Sequence, residues 1–219
     1  MKTFVVIPAF NDTKMLDGVI NTCLEYVDHV VIVDDGSRQP VVTSLAPRPN
    51  LTVLRHAVNL GKGASLKTGA EWVVGQAAEL IVFLDADGQH DPSEIPHLVQ
   101  PIQVNRADVV FGVRSFQKHM PAVARLGNTF LTFALSAMFR IRVSDTQSGY
   151  RAIRASIYPQ IAWRSPRYAV ETEMVVNTGK HHLRYVEVPI STIYLDRYKG
   201  TTIFDGLRIF INMLAWRFL

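Results

Sequence analysis

The chain of 219 residues is 48% hydrophobic and 19% charged, which is typical of a packed core and excludes disordered, collagenous and low-complexity classes. Its single cysteine, Cys23, excludes an internal disulfide and any metal site built from several cysteines. The net charge of +4 is uneven: residues 1–113 hold 8 basic and 13 acidic residues, whereas residues 114–167 hold 9 basic residues and one acid, Asp145. This contrast suggests a cation site beside an anion site, although a solvated basic face would give the same count.

Short apolar runs alternate with helix-like stretches along the first half of the chain. The runs predict buried strands over 3–8, 29–34, 51–55, 80–84 and 108–112, with helices over 14–27, over 62–78 and from Asp91 onward. After residue 113 we expect helices over 121–139, 168–178 and 203–219, strands over 150–153 and 184–188, and an extended segment over 190–194. Strands that are apolar throughout and alternate with helices indicate an α/β fold with a mostly parallel sheet covered on both faces.

Polar residues follow four of these strands. Open parallel sheets bind ligands at the carboxyl ends of their strands, so these clusters predict a site at one rim of the sheet. The clusters are Asn11 after the first strand, Asp35 after the second, the pair Asp85 and Asp87 after the fourth, and Arg114 after the fifth.

The most specific cluster is Asp85-Ala86-Asp87, with Gln89 close behind. Two carboxylates one residue apart on a strand-to-loop turn suit Mg²⁺ or Mn²⁺, which take oxygen ligands and leave room for substrate phosphates. A turn capped by aspartate is the plainer interpretation, and the neighbouring clusters favour the metal.

A glycine-rich turn, NLGKGA over 59–64, opens the second helix. It is not a P-loop, because position 56 is His and Lys62 is followed by Gly63 and not by Ser or Thr. The turn either brings the helix close to a nucleotide or is only a turn.

Six segments occur in a fixed order: VVIPAFN, VIVDDGS, NLGKGASLKTG, FLDADGQHDP, FGVRS and DTQSGYRAI. Together they resemble the family 2 glycosyltransferases of GT-A (Rossmann-like) fold, and more narrowly the polyprenyl-phosphate branch, to which the dolichol-phosphate mannose synthases belong. The resemblance covers about residues 3–200. It implies a catalytic domain over 1–200, with a nucleotide-sugar half over 1–113 and an acceptor half over 114–200, followed by an amphipathic helix over 201–219.

The resemblance also implies roles for residues on the donor side. Asp35 would contact the base or ribose, Lys62 would lie beside the base, and Asp85, Asp87 and Gln89 would hold Mg²⁺ or Mn²⁺ on the diphosphate. The wall around the nucleoside would be formed by Pro8, Ala9, Phe10 and Asn11, and Arg197 and Lys199 would close on the phosphates.

On the acceptor side, a lipid phosphate is already an anion and needs positioning and charge neutralisation more than a base. Arg114 and Arg125 match the phosphate-binding arginines of the family, and a guanidinium suits phosphate. Asp145 and Gln147 are expected to face the acceptor. If the acceptor were a sugar hydroxyl, Asp145 would be the candidate base. Of the two acids near residue 172, Glu173 is preferred over Glu171 for a structural or active-site bond.

The last predicted helix carries an apolar stripe formed by Ile203, Leu207, Phe210, Ile211, Leu214 and Phe218. It suits a helix lying in the plane of a membrane surface, although packing on the core or on a partner subunit would use the same residues. No apolar run reaches the ~20 residues that span a bilayer. A membrane-protein partner, or a domain outside this sequence, could supply the anchor, and a homo-oligomer is the other partner considered.

The resemblance and the residues together predict an inverting, metal-dependent enzyme on the cytoplasmic face of a membrane. It would transfer a hexose from a GDP-mannose or UDP-glucose type donor to a polyprenyl or dolichyl phosphate. The alternatives are transfer to a sugar hydroxyl of a glycan or glycolipid, and a non-catalytic nucleotide-sugar-binding subunit. Nucleic-acid binding ranks last, because the chain has no recognition motif.

Overall fold

A computed structural model of the chain describes residues 1–11, 14–114, 122–167, 169–191 and 203–218, with the backbone alone for 122–128, 131, 203–209 and 218. Seven strands form one sheet: β1 (Thr3–Ala9), β2 (His29–Asp34), β3 (Leu51–Arg55), β4 (Leu80–Phe83), β5 (Val109–Arg114), β6 (Arg151–Arg154) and β7 (Tyr185–Ile190). Their order across the sheet is β3-β2-β1-β4-β6-β5-β7. The predicted α/β fold with a mostly parallel sheet is confirmed, and strands 29–34 and 51–55 have the predicted bounds.

The described helices are α1 (Leu16–Cys23), α2 (Lys62–Val74), α3 (Ile95–Gln103), α4 (Ala122–Phe139), α5 (Tyr158–Ile161), α6 (Val170–Lys180) and α7 (Ile203–Phe218). The helix start at Asp91 is confirmed: its Oδ1 accepts the Ser93 amide at 2.9 Å and Pro92 follows it. Helices α1 and α2 are shorter than predicted, and the short helix α5 was not predicted. Most of the extended segment expected over 190–194 lies outside the described residues.

The inner strands are buried on both faces because helices cover both sides of the sheet, whereas the edge strands β3 and β7 are partly exposed. Along β1, Phe4 and Val6 pack into one hydrophobic cluster with residues of α2, α4, α6 and α7. Their neighbours Val5 and Ile7 pack into the other cluster with residues of α1 and α3. Continuous apolar runs, and not alternating ones, are the pattern that two buried faces require.

Strand β6 is antiparallel to both of its neighbours, β4 and β5. Its first residue, Arg151, pairs with Phe83 at the end of β4. The amino end of β6 therefore lies at the same rim as the carboxyl ends of the parallel strands. This reversal delivers the segment before β6, residues 145–150, to the predicted site.

Helix α7 packs along α4. The rings of Phe130 and Phe210 lie 5.1 Å apart, and Met213 is fully buried. On the outer side, Phe133 of α4 is 72% exposed and Ile211 of α7 is 56% exposed. Helix α7 therefore has apolar residues both in the core and at the surface. The sequence analysis had treated core packing and a surface position as alternatives. In the part of the chain that is described, no helix is long and apolar enough to cross a membrane.

Candidate active site at the carboxyl rim of the sheet

The loops after β1 and β2 hold each other in place. The Asn11 amide donates to Ser37 Oγ at 2.9 Å, and the Arg38 amide donates to Asn11 Oδ1 at 2.9 Å. Of the predicted nucleoside wall, Phe10 is 47% exposed, whereas the Ala9 side chain is buried in the core. Phe10 is therefore the exposed aromatic surface here, and any contact of Ala9 with a nucleoside is limited to its backbone.

The Asp35 carboxylate joins the end of β2 to the glycine-rich turn. Its Oδ1 accepts the Leu60 amide at 2.9 Å and His56 Nδ1 at 2.8 Å, and its Oδ2 accepts the Gly61 amide at 2.8 Å. Asp35 is also almost completely buried. The structure shows Asp35 as the residue that fixes this turn, and its predicted contact with a base or ribose stays a prediction.

The two glycines of the turn face another loop of the protein. Gly61 has a φ of 104°, and a Cβ there would lie 2.5 Å from the Pro166 carbonyl oxygen. A Cβ on Gly63 would overlap the Ser165 carbonyl oxygen, and the Trp163 indole donates to the Gly63 carbonyl at 2.7 Å. The glycines therefore admit the loop over 163–166 next to Lys62, which sequence reasoning did not predict.

Glu173 holds that same loop from the other side. Its two carboxylate oxygens accept the Arg164 amide at 2.9 Å and the Ser165 amide at 2.8 Å. Glu173 thus makes a structural bond, one of the two kinds predicted for it, but it is not preferred over Glu171, which is bonded as well.

The Lys62 ammonium contacts two carboxylates at the rim of the sheet. Its Nζ is 2.6 Å from Asp85 Oδ1 and 2.8 Å from Glu171 Oε1. Burial alone would lower the pKa of Lys62, but the attraction of the two carboxylates outweighs burial and raises it. The structure thus places the Lys62 charge against a predicted metal ligand, whereas the resemblance had placed Lys62 beside the base. The acid that bonds at the rim is Glu171, over which the sequence analysis had preferred Glu173.

The segment before β6 needs a residue without a side chain at position 149. A Cβ at Gly149 would lie 2.6 Å from Asp85 Oδ2. The backbone of this segment is therefore packed directly against the predicted metal ligand.

Asp85, Asp87 and Gln89 share one turn after β4, and the Gln89 amide donates to Asp87 Oδ1 at 3.0 Å. No cluster of three or more His, Cys, Asp or Glu able to hold a metal occurs within the described ranges. Two carboxylates and one amide still fit Mg²⁺ or Mn²⁺ when phosphate oxygens complete the coordination. The oxygen donors of these three side chains therefore fit the predicted metal, and its binding stays a prediction.

Arg114 and Asp145 form a two-pronged ion pair. Arg114 Nε donates to Asp145 Oδ2 at 2.6 Å, and Nη2 donates to Oδ1 at 3.0 Å. The Asp145 side chain is fully buried, whereas that of Arg114 is 25% exposed. Burial would raise the pKa of Asp145, but the hydrogen bonds and charge of Arg114 hold it below its usual range. In this structure Asp145 pairs with Arg114, and its predicted contact with the acceptor stays a prediction.

Gln147, the other residue expected at the acceptor, is half-buried, and its Nε2 donates to Thr172 Oγ1 at 3.0 Å. This bond ties the segment before β6 to α6. The structure shows no more of its predicted role.

Two arginines of the basic segment serve the fold. Arg151 is buried, and its guanidinium donates to the carbonyls of Ser148 and Thr146, each at 2.9 Å. Burial lowers the pKa of Arg151 to about 10. Arg154 lies 3.6 Å from Asp108. The count of basic residues over 114–167 therefore overstated how many of them could bind an anion.

Charges from both halves of the chain meet at the rim. Burial would raise the pKa of Asp85, but nearby cations, Lys62 foremost and Arg114 among them, hold it below its usual range. His90 is buried beside the Tyr150 ring, at 5.3 Å between centroids, and burial lowers its pKa. The predicted metal ligands and the predicted acceptor arginine thus share one electrostatic environment. Arg197, Lys199 and the side chain of Arg125 lie outside the described residues.

Comparison with known proteins gives the same picture. The model of the family described as "Glycosyl transferase family 2" matches residues 4–161. A UDP-N-acetylglucosamine–dolichyl-phosphate N-acetylglucosaminyltransferase of Methanococcus voltae is 31% identical, over 96% of this chain and 94% of the relative. An undecaprenyl-phosphate mannosyltransferase of Micrococcus luteus is 27% identical, over 99% of this chain and 94% of that protein.

Among solved structures, a glucosyl-3-phosphoglycerate synthase of Mycobacterium tuberculosis, in complex with Mn²⁺, UDP and phosphoglyceric acid, superposes with a TM-score of 0.74. It is 18% identical, and the alignment covers 98% of this chain and 78% of that chain. This likeness supports the GT-A fold. With the family model matching most of its length, the chain belongs to glycosyl transferase family 2, and it is a glycosyltransferase of GT-A fold.

Proposed function

We propose that this enzyme transfers a hexose from a nucleotide sugar, of the GDP-mannose or UDP-glucose type, to a polyprenyl or dolichyl phosphate. The relatives named for polyprenyl or dolichyl phosphate acceptors align over nearly the whole chain. The proposed catalytic domain is 1–200, with the donor bound by 1–113 and the acceptor by 114–200.

The choice of a phosphate acceptor rests on one observation, the contacts made by the carboxylates of the proposed acceptor half. Among the described residues from 114 to 191, each of the four carboxylates already has partners. Asp145 binds Arg114, Glu171 binds Lys62, Glu173 binds two backbone amides, and Glu187 accepts the Ser144 amide. A hydroxyl acceptor needs a base to take its proton, and the partners that these acids already have favour an acceptor that needs no base.

A phosphate acceptor needs no such base. The second pKa of a phosphate monoester is about 6, so most of it is a dianion at neutral pH. What the site must supply is a fixed cation that positions the nucleophile and offsets its charge. Arg114, oriented by a buried carboxylate and still partly exposed, is suited to that role, and Arg125 is proposed as its companion.

The mechanism is an inverting displacement. A lipid phosphate oxygen, held by Arg114, attacks the anomeric carbon, and the bond from that carbon to the nucleoside diphosphate breaks. A divalent ion held by Asp85, Asp87 and Gln89 would neutralise the charge that develops on the leaving diphosphate. Phe10, Pro8, Asn11 and Asp35 are proposed to position the nucleoside, and Arg197 and Lys199 to contact the phosphates.

The exposed side of the α4–α7 pair is proposed to rest on the cytoplasmic face of a membrane. Phe130, Phe133, Ile211 and Leu214 are all exposed large apolar side chains of these two helices. Aromatic and aliphatic side chains of a surface helix insert into the boundary between headgroups and acyl chains. A lipid phosphate would then reach the rim without leaving its membrane.

The test supplies purified enzyme with Mn²⁺, radiolabelled nucleotide sugars, and a short polyprenyl phosphate or the polyprenol of the same length. We expect label from one donor to enter the organic phase with the phosphate only, and to be lost with EDTA or in Asp85→Asn. Transfer to the polyprenol or to a soluble sugar, with none to the phosphate, would instead establish a hydroxyl acceptor.

A further inference from the structure

The Lys62 ammonium links two carboxylates that come from different halves of the chain. Lys62 is the first residue of α2, Asp85 follows β4, and Glu171 lies in the first turn of α6. The two Nζ–oxygen distances, 2.6 Å to Asp85 and 2.8 Å to Glu171, are both within hydrogen-bonding range. One ammonium, which has three donors, therefore serves both acids at once.

This arrangement is buried enough for the charges to depend on one another. The exposed fractions of the side chains are 19% for Lys62, 25% for Asp85 and 6% for Glu171. A buried charge is costly when unpaired. Without Lys62, Asp85 and Glu171 would be two anions facing the same space, and without Asp85 the ammonium would still be held by Glu171.

We propose that Lys62 is a built-in cation that occupies Asp85 until a divalent metal arrives with its nucleotide, and that Glu171 is the positioning residue that retains the ammonium afterwards. This rests on the proposed function for the assignment of Asp85 as a metal ligand. Two cations cannot share Asp85 Oδ1 without repulsion, so a metal ion alone must displace Lys62. A nucleoside diphosphate brings negative charge that offsets this repulsion. Metal and nucleotide therefore bind cooperatively, each raising the affinity for the other.

Two substitutions shift metal affinity in opposite directions under this proposal. Lys62→Met removes the competing charge and keeps much of the apolar stem, so Mn²⁺ should bind without nucleotide at least tenfold more tightly than to wild type. Glu171→Gln takes away the alternative partner and leaves the ammonium to Asp85 alone, so Mn²⁺ should bind severalfold more weakly. A merely structural role would weaken binding in both variants.

The matched control is Lys67→Met on the same helix. The Lys67 ammonium lies 3.9 Å from Glu71, and both side chains are well exposed. We expect the affinity of this variant for Mn²⁺ to match that of wild type, because Lys67 pairs with an acid outside the rim.

The experiment titrates the full chain with Mn²⁺ and measures the free ion by electron paramagnetic resonance, with and without UDP or GDP. The melting temperature with and without Mn²⁺ checks that each variant is folded, and Lys62→Gln replaces Lys62→Met if the latter fails to fold. Unchanged or weaker Mn²⁺ binding when Lys62 is neutralised, or shifts of the same sign in the Lys62 and Glu171 variants, overturns the proposal.

The two proposals fail in distinguishable ways. If wild type binds no Mn²⁺ even with a nucleoside diphosphate, the metal assignment of the proposed function is wrong and this inference falls with it. If wild type binds Mn²⁺ with nucleotide but the Lys62 variant behaves as wild type, only the inference is overturned. Neither readout depends on transfer to a lipid.

Discussion

Replacing Asp145 with Asn tests whether this acid orients Arg114 or acts on the acceptor itself. The substitution keeps the shape of the side chain but removes its charge and places an NH₂ group among donors. Arg114 loses the fully buried counterion to which Nε and Nη2 donate at 2.6 and 3.0 Å. We expect the enzyme to fold, with Arg114 no longer fixed in direction.

The magnitude follows from the burial of the two partners. Breaking a fully buried ion pair costs ~3–5 kcal/mol. Because Arg114 is 25% exposed and keeps some hydration, we expect a loss of about 2–3 kcal/mol. For a protein of this size, that corresponds to a fall in melting temperature of roughly 5–10 °C. Transfer to polyprenyl phosphate should fall about 100-fold, the typical loss when one preorganised charge-stabilising donor is removed.

The assay is a double-mutant cycle with Arg114→Met, in which kcat and KM for polyprenyl phosphate are measured for both single variants and the double variant. If Asp145 acts only through Arg114, the double variant should be no slower than Arg114→Met alone. Independent, additive losses would refute this coupling. A D145N enzyme with kcat within twofold of wild type would show that the ion pair is irrelevant to transfer.

The remaining predictions concern other contacts of the same site and of the surface beside it. The folded pKa of Asp145 lies below the unfolded value of about 3.9. The contribution of Asp145 to the stability of the fold is therefore complete above that pH and is lost as the pH falls through the folded pKa. Acid denaturation of D145N should depend less on pH. Glu173→Gln weakens the two bonds to backbone amides and should lower the free energy of unfolding by about 1–2 kcal/mol in urea denaturation. Gly149→Ala places a methyl group 2.6 Å from Asp85 Oδ2 and should weaken binding of Mn²⁺ with UDP or GDP at least tenfold in calorimetry, while Gly18→Ala, with open space around it, should not. Phe133→Asp changes a side chain that is 72% exposed and should reduce pelleting with anionic lipid vesicles about tenfold without lowering the melting temperature.

Local features of this fold could be predicted from sequence because local pattern determines them. Strands β2 and β3 have the predicted bounds, and for β2 the reason is a continuous apolar run, which marks a strand that is buried on both faces. The start of the segment before α3 was predictable from Asp91 and Pro92, which supply a side-chain cap and a preset φ.

Non-local pairing could not be predicted in the same way. The four-residue strand β6 was expected near its true position, but its insertion between β4 and β5 in the antiparallel direction depends on partners about 40 and 70 residues away. That insertion places Gly149 against Asp85 and Asp145 against Arg114. The sequence indicated that these residues matter, and only the topology shows which of them contact each other.

Charge was the least predictable property, because a count gives no partners. Arg151 and Arg154 have the same formal charge as Arg114, yet Arg151 binds carbonyl oxygens in the core, Arg154 lies beside Asp108, and Arg114 reaches the rim with its own buried carboxylate. The acids of α6 divide in the same way: two residues apart on a helix, Glu171 turns to Lys62 and Glu173 to the loop over 163–166. Glu171 contacts Lys62, which is part of the glycine-rich turn, and Glu173 holds the loop over 163–166, which packs against that turn. Residues of the proposed acceptor half therefore help to hold the proposed donor site, so we expect substitutions in α6 to change donor affinity as well as acceptor turnover.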